Sequence, residues 1–297
     1  MALFQKKTTL VHHITYMGIM TAINLIFIVL ATYIPLMMLL LILLLPFAST
    51  IVSYFCLKRY YLIYAVASIG LCMIFNISDT LFYVVPAIIS GFFIGVLLER
   101  GIHPFWMVLS STIINAALTY AFIPLINFIS NADIVMAFLT LFKLTEFPYR
   151  TELVYLFVLF ISLVQCALTH FVLLTDAKKL GIEINTRVNS FAPFLISLEF
   201  CILMTICCSF FYLPLALVFL ALALYFSAFL MIDFMMMKKL WVYIVFGISL
   251  FIGLIIFALF YQQLSKPYGV ILFVIFPLFV GVISFVKNCL LKQESNI

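Results

Sequence analysis

Four polar side chains lie well inside long apolar stretches of this sequence, where they could bind a ligand. They are Glu199, Gln165, Asn115 and Asn24, each eight to eleven residues from one end of its stretch. At ~1.5 Å per residue in a helix, these positions lie at similar depths of about 12 to 17 Å. One carboxyl and three amide groups in a single layer could hold a polar small molecule or an ion. The alternative for these residues is hydrogen bonding between helices, at about 0.6 kcal/mol each.

The most unusual of the four is Glu199, which follows Phe-Leu-Ile-Ser-Leu and precedes Phe-Cys-Ile-Leu. A charged side chain deep in a bilayer costs on the order of 2.5–3.5 kcal/mol unless it is neutralised or paired. The sequence offers no lysine or arginine at the same depth. We therefore expect Glu199 to face the interior of a helix bundle, either in a ligand site or in a packing contact.

Motifs for catalysis, metal binding or ATP hydrolysis are missing from the sequence. It contains no His-Glu-x-x-His and no glycine-rich phosphate loop. The seven cysteines show no Cys-x-x-Cys spacing, and most lie in apolar stretches as small apolar side chains do. We predict that the chain is not an enzyme, holds no metal or cofactor, and has no ATPase activity of its own.

The elements that must position these residues are membrane-spanning helices. The sequence is 68% hydrophobic and 8% charged, with a mean hydropathy of +1.36, whereas soluble domains are about 45–50% apolar. Its apolar stretches exceed the ~18 residues that a span requires. We predict an all-α, polytopic integral membrane bundle of ten helices, at approximately 14–34, 36–57, 60–76, 81–98, 104–129, 153–174, 191–212, 213–237, 241–261 and 270–286.

The distribution of basic residues predicts the orientation of these spans. If both termini are cytoplasmic, 12 of the 15 lysines and arginines face the cytoplasm and 3 face outside. Such a split follows the positive-inside rule, so we predict a multi-pass protein of the cell membrane with cytoplasmic N- and C-termini. The net charge of +5 does not indicate a nucleic-acid partner, because the basic residues are scattered at span ends.

Pairs of small residues at a spacing of four mark faces where helix backbones can approach closely. Gly18 and Ala22 form such a pair in the first span, and Gly91 and Gly95 form another in the fourth. These faces could contact another subunit or pack within the chain. Pro86, shortly before the second pair, predicts a bent or mobile fourth helix.

Two connections are longer than a turn. Residues 130–152, predicted outside, carry apolar residues at helical spacing, which suits an amphipathic connector or a lid over a cavity. Residues 175–190, predicted inside, divide the chain into a six-helix part (1–180) and a four-helix part (181–297).

Several short strings resemble known families. Gly-Ile-Met-Thr-Ala-Ile-Asn from Gly18, and Pro-Ala-Ile-Ile-Ser-Gly-Phe-Phe-Ile-Gly from Pro86, resemble the six-helix substrate-binding (S) subunits of energy-coupling-factor importers. Lys-Lys-Leu-Gly-Ile-Glu-Ile from Lys178, followed by a new helix at Phe191, is similar to the YybS-type membrane proteins of low-GC Gram-positive bacteria. That group has an S-subunit-like front part and further C-terminal helices.

The resemblance implies that the front part captures a small solute from outside and releases it inward. It also implies a coupling membrane subunit that contacts Gly18 and Ala22, and two cytoplasmic ATPases. The ligand would then lie between 130–152 and the outer halves of the fourth to sixth helices, whereas the polar layer at Asn115 and Gln165 favours the midplane. Both sites remain open. The alternative functions are a scaffold or assembly factor for cell-envelope or sporulation machinery, and the permease of an ABC exporter.

Overall fold

The described part of the chain is helical throughout and contains no strand. The computed structural model describes residues 9–34, 37–131, 133–141, 150–180, 191–235 and 266–294, together with single residues between them. This result confirms the predicted all-α class. We number the helices α1 (Leu10–Tyr33), α2 (Met37–Phe55), α3 (Lys58–Phe75), α4 (Ile77–Glu99), α5 (Pro104–Ser130), α6 (Ile134–Leu141), α7 (Arg150–Leu180), α8 (Phe191–Phe211), α9 (Leu213–Met235) and α10 (Pro267–Glu294).

Eight of these helices are long and apolar enough to cross a membrane, namely α1, α3, α4, α5, α7, α8, α9 and α10. The chain is therefore a multi-pass membrane protein. The predicted second span coincides with α2, whose described apolar part is the shorter Leu45–Phe55. The predicted ninth span, 241–261, lies outside the described residues apart from isolated positions.

Helix formation follows from the environment, because a lipid-exposed backbone must satisfy its hydrogen bonds within its own segment. The helix ends are set by local residues. Thr9 accepts a hydrogen bond from the backbone N–H of His12 at the start of α1, at 3.3 Å. Pro104 occupies the first turn of α5, where no backbone donor is needed, and Asn131 ends that helix in the left-handed conformation.

The chain divides into two compact units. The front unit comprises Met1–Ala137 and Val158–Arg187, and the rear unit comprises Phe138–Phe157 and Val188–Ile297. The predicted division into 1–180 and 181–297 stays a prediction.

In the front unit, α4 packs against α2 through its two glycines. A Cβ atom built on Gly91 would lie 2.6 Å from the Pro46 carbonyl oxygen, and one built on Gly95 would lie 2.6 Å from the Ser53 Cβ. The hydroxyl of Ser53 donates to the carbonyl of Phe92 at 3.0 Å. This face is filled by α2, so the structure shows the intrachain alternative for Gly91 and Gly95.

The helix α4 has an irregular first half. Its start is capped by Asn76, whose side chain accepts from the N–H of Asp79 at 3.0 Å and donates to the Asp79 carboxylate at 2.7 Å. A π-helical turn follows at Thr80–Val84, directly before Pro86. The extra residue of a π-turn widens the helix locally, next to a proline that cannot donate a backbone hydrogen bond. This irregularity lies where the sequence predicted a bend.

The rear unit contains α8, α9 and α10, together with the end of α6 and the start of α7. Its core is an apolar cluster from α9 and α10: Leu213, Ala216, Leu217, Leu220, Val270 and Val274. Phe194 of α8 stacks on Phe229 of α9, with 5.3 Å between ring centroids. A single residue, Tyr212, separates α8 from α9, at the predicted boundary between spans 191–212 and 213–237.

Candidate functional site

The structure brings together two of the four predicted site residues, Asn115 on α5 and Gln165 on α7. The side-chain N–H of Asn115 donates to the Gln165 amide oxygen at 2.6 Å. The two side chains are only 1% and 4% exposed. Both helices are candidate membrane spans, so this contact joins two spans of the front unit through buried amides.

Further polar side chains surround this pair. Ser111 and Thr112 precede Asn115 by one helical turn, so all three lie on one face of α5. The thiol of Cys166 lies beside the side chains of Thr112 and Asn115. We call these five residues the amide seam: Ser111, Thr112, Asn115, Gln165 and Cys166. All five are buried.

The amide seam retains unused hydrogen-bonding capacity. Within the described part of the chain, the Gln165 amide nitrogen and the Ser111 hydroxyl have no hydrogen-bond partner. The Thr112 hydroxyl has only the Cys166 thiol beside it, which is a weak donor. A buried polar group without a partner costs about 1–3 kcal/mol. By contrast, the neighbouring hydroxyls of Thr119 and Thr169 donate to the carbonyls of Asn115 and Gln165 on their own helices. The seam can therefore bond a further polar group.

No formal charge lies within the amide seam. The sequence of α5 contains no Asp, Glu, Lys or Arg, and α7 contains none between Leu153 and Leu173. Desolvating an ion costs far more than desolvating a neutral polar group when no counter-charge is present. The chemistry of the seam therefore suits a neutral group that accepts and donates hydrogen bonds.

Asn24 takes part in a different contact within the front unit. Its amide nitrogen donates to the Tyr64 hydroxyl at 2.8 Å, and the Ser49 and Tyr64 hydroxyls lie 3.1 Å apart. A second pair, Thr21 and Ser68, is hydrogen-bonded at 2.9 Å. These contacts join α1, α2 and α3, so Asn24 forms an interhelical hydrogen bond. Its side-chain oxygen has no partner among the described residues, and its predicted ligand role stays a prediction.

Glu199 lies on α8 in the rear unit, and its side chain is exposed. The same face presents Ile196, Phe200 and Leu203, which are 66%, 56% and 60% exposed. We expected Glu199 to face the interior of a helix bundle, whereas the structure leaves its side chain exposed on α8. Whether Glu199 binds a ligand stays a prediction.

The first-span pair, Gly18 and Ala22, lies on an exposed face of α1. A Cβ atom built on Gly18 would have no described neighbour within 4 Å. This face is therefore open in the structure, and its contact with a partner stays a prediction.

The structure describes part of the connection 130–152, which the sequence predicts to lie outside the membrane. It begins with α6, and the backbone N–H of Ile134 donates to the side chain of Asn127 at 3.0 Å, which ties the segment to the end of α5. Most of 142–149 lies outside the described residues. The structure does not decide between the connector and the lid.

The sequence missed several contributors to these contacts. Tyr64 and Ser49 were not expected beside Asn24, and Ser111 and Thr112 were not expected beside Asn115. A signal for the latter exists, because Ser111 and Asn115 are four residues apart and therefore lie on the same face of the helix.

Comparison with known proteins identified no relative of this chain. No protein-family model matches the chain, and neither a curated protein nor a solved structure matches it. The fold and the helix compositions define the class as an all-helical, multi-pass membrane protein.

Proposed function

We propose that this chain binds a small neutral molecule inside the membrane and carries it across, as an S-subunit-like component of an importer without its own ATPase. The observation that carries this proposal is the unused hydrogen-bonding capacity of the amide seam. A contact that served packing alone would need only the Asn115–Gln165 hydrogen bond. The Gln165 amide nitrogen and the Ser111 hydroxyl, which are buried beside that bond without partners, favour a ligand.

The proposed topology has ten spans with both termini in the cytoplasm, in the cell membrane. Eight candidate spans and the 12-to-3 division of basic residues support it. In this orientation Asn115 lies 11 residues from the start of α5, and Gln165 lies 8 residues before Leu173, where the apolar part of α7 ends. At ~1.5 Å per residue these positions are about 16 and 12 Å from the cytoplasmic ends of the spans, near the midplane.

The energy source in this proposal is a coupling membrane subunit with two cytoplasmic ATPases. The open face of α1 at Gly18 and Ala22 supports docking of another helix, since small residues let backbones approach closely. The S-subunit and YybS-type resemblance of the sequence points to the same contact.

Purification from the native host in a mild detergent tests whether the chain binds the proposed coupling subunit and ATPases. We expect mass spectrometry to find the coupling subunit and two ATPases with the wild-type chain and with Gly70→Leu, but not with Gly18→Leu. Gly70 is the matched control because it is also exposed and also has no neighbour within 4 Å of a built Cβ. Recovery of the chain alone, or with envelope-synthesis proteins, would contradict the importer role.

The ligand is tested in the same preparations by extracting the small molecules that co-purify. We expect a neutral solute with the wild-type chain that is absent from Gln165→Leu. Thr169→Val is the control, because it removes a buried hydroxyl bonded only to its own helix. Equal solute content in all three chains would contradict binding at the amide seam.

A further inference from the structure

The side chain of Glu199 lies at a depth where a carboxylate is costly. The helix α8 contains 21 residues, so it is about 31 Å long at ~1.5 Å per residue. Glu199 follows its first residue by eight positions, about 12 Å along the axis. The hydrocarbon core of a bilayer is about 30 Å thick, so this carboxylate lies near its middle.

The side chain of Glu199 is exposed, as are its described neighbours on the same face of α8. Ile196, Phe200 and Leu203 surround it on the exposed side of α8. Among the described residues, none forms a hydrogen bond or an ion pair with the Glu199 carboxylate. A charged side chain that faces acyl chains costs on the order of 2.5–3.5 kcal/mol, and such residues normally pair with one another. The chemistry of this face therefore calls for a polar partner at the same depth.

A second copy of this chain cannot supply a lysine or arginine at that depth. All 15 lysines and arginines lie at or beyond the ends of the apolar stretches, so none reaches the midplane. The amides at similar depth, on Asn24, Asn115 and Gln165, are at most 4% exposed and are hydrogen-bonded inside the front unit. Two copies meeting through α8 would place one carboxylate against another.

We propose that the exposed face of α8 around Glu199 docks a transmembrane helix of a different protein, one that carries a lysine or arginine at the same depth. The carboxylate pairs with that cation, and the apolar residues one turn to either side pack against the partner helix. A buried ion pair between helices also selects the partner, because a helix without the cation leaves the carboxylate unpaired. This proposal is independent of the solute-binding function, because it rests on a different unit and a different side chain.

Photo-crosslinking in the native membrane tests this contact. A photoreactive amino acid replaces Leu203, on the same face as Glu199, or Ile113, which is a comparably exposed control on α5. We expect an adduct from position 203 whose peptide, sequenced by mass spectrometry, is an apolar span containing lysine or arginine. We expect Glu199→Gln, which keeps the size of the side chain, to lower the yield of that adduct at least tenfold.

Exchange of the two charges completes the test. Glu199→Lys combined with a change of the partner's cation to glutamate should restore the adduct, which a purely structural role for Glu199 would not produce. The proposal is overturned by an adduct with this chain itself, by a partner peptide without a basic residue, or by no adduct above the Ile113 control. If Glu199→Gln fails to fold, the peptide captured by the wild-type chain still decides between these outcomes.

Discussion

Asn115 and Gln165 form a direct hydrogen bond between two membrane helices. Such bonds contribute little to stability, about 0.6 kcal/mol on average, since in the unfolded state within the membrane the same groups find other partners. The 2.6 Å hydrogen bond between Asn115 and Gln165 therefore positions the two side chains more than it stabilises the fold. It holds the Gln165 amide so that its nitrogen remains available to a further group.

A double-mutant cycle on this pair measures its strength. We expect Asn115→Ala and Gln165→Ala to show a coupling of about 0.6 kcal/mol, and below about 1.7 kcal/mol, in the free energy of unfolding in mixed detergent micelles. Thr119→Val with Thr169→Val is the control cycle, with no coupling expected, because each hydroxyl bonds its own helix. Additive effects in the amide cycle would contradict a direct bond.

For single residues, the sequence identified the polar side chains within the apolar stretches but did not identify their hydrogen-bond partners. Asn24, Asn115 and Gln165 stand out as amides in apolar stretches, and the structure buries all three. Their pairing depends on which helices are neighbours and how each is rotated, which hydropathy does not encode. Glu199 shows the same limit, because depth follows from counting residues whereas the direction of a side chain follows from packing.

Among the helices, the contact between α2 and α4 depends on the absence of side chains. The built Cβ atoms at Gly91 and Gly95 lie within 2.6 Å of α2, closer than real Cβ atoms come to other groups. One of the atoms met is the Pro46 carbonyl oxygen, part of the backbone, so a change of rotamer cannot make room. The spacing of the two glycines identified this face from the sequence alone.

Replacement of Gly91 by alanine tests this contact. We expect Gly91→Ala to lower the free energy of unfolding by about 1–3 kcal/mol, since α2 and α4 must move apart. Gly70→Ala should change it by less than about 0.5 kcal/mol, because nothing lies within 4 Å of its built Cβ. Thermal unfolding of the detergent-solubilised proteins would show the difference, and equal melting temperatures would contradict the close approach.

Other features of the helices could not be predicted in detail. Pro86 predicted that the fourth helix is irregular, but it did not predict a π-turn at Thr80–Val84. A π-turn contains one extra residue, which the neighbouring side chains must accommodate. Leu81 and Val85 pack against Ile126 of α5 at this point. The position of the irregularity therefore reflects tertiary packing around α4 as well as the proline.

For the whole molecule, composition and apolar length were sufficient to predict the class of protein. An all-helical chain with eight candidate spans follows from 68% hydrophobic residues in long stretches. Orientation rests on charge alone, because a helix can cross the membrane in either direction.

Labelling of single cysteines in intact cells tests the proposed orientation. In a chain whose seven native cysteines are replaced, we expect Thr145→Cys to react with a membrane-impermeant maleimide from outside. Gln293→Cys should react only after the membrane is permeabilised, because the C-terminus is proposed to lie in the cytoplasm. Labelling of position 293 in intact cells would contradict the cytoplasmic C-terminus.

The close contact between α2 and the glycines of α4 also limits how these two helices can move relative to each other. Packed helices slide past one another when the side chains between them change rotamer, and the glycines of α4 have none to change. The hydrogen bond from Ser53 to the Phe92 carbonyl further fixes the register of the two helices. We therefore expect α2 and α4 to move together, as one body within the front unit.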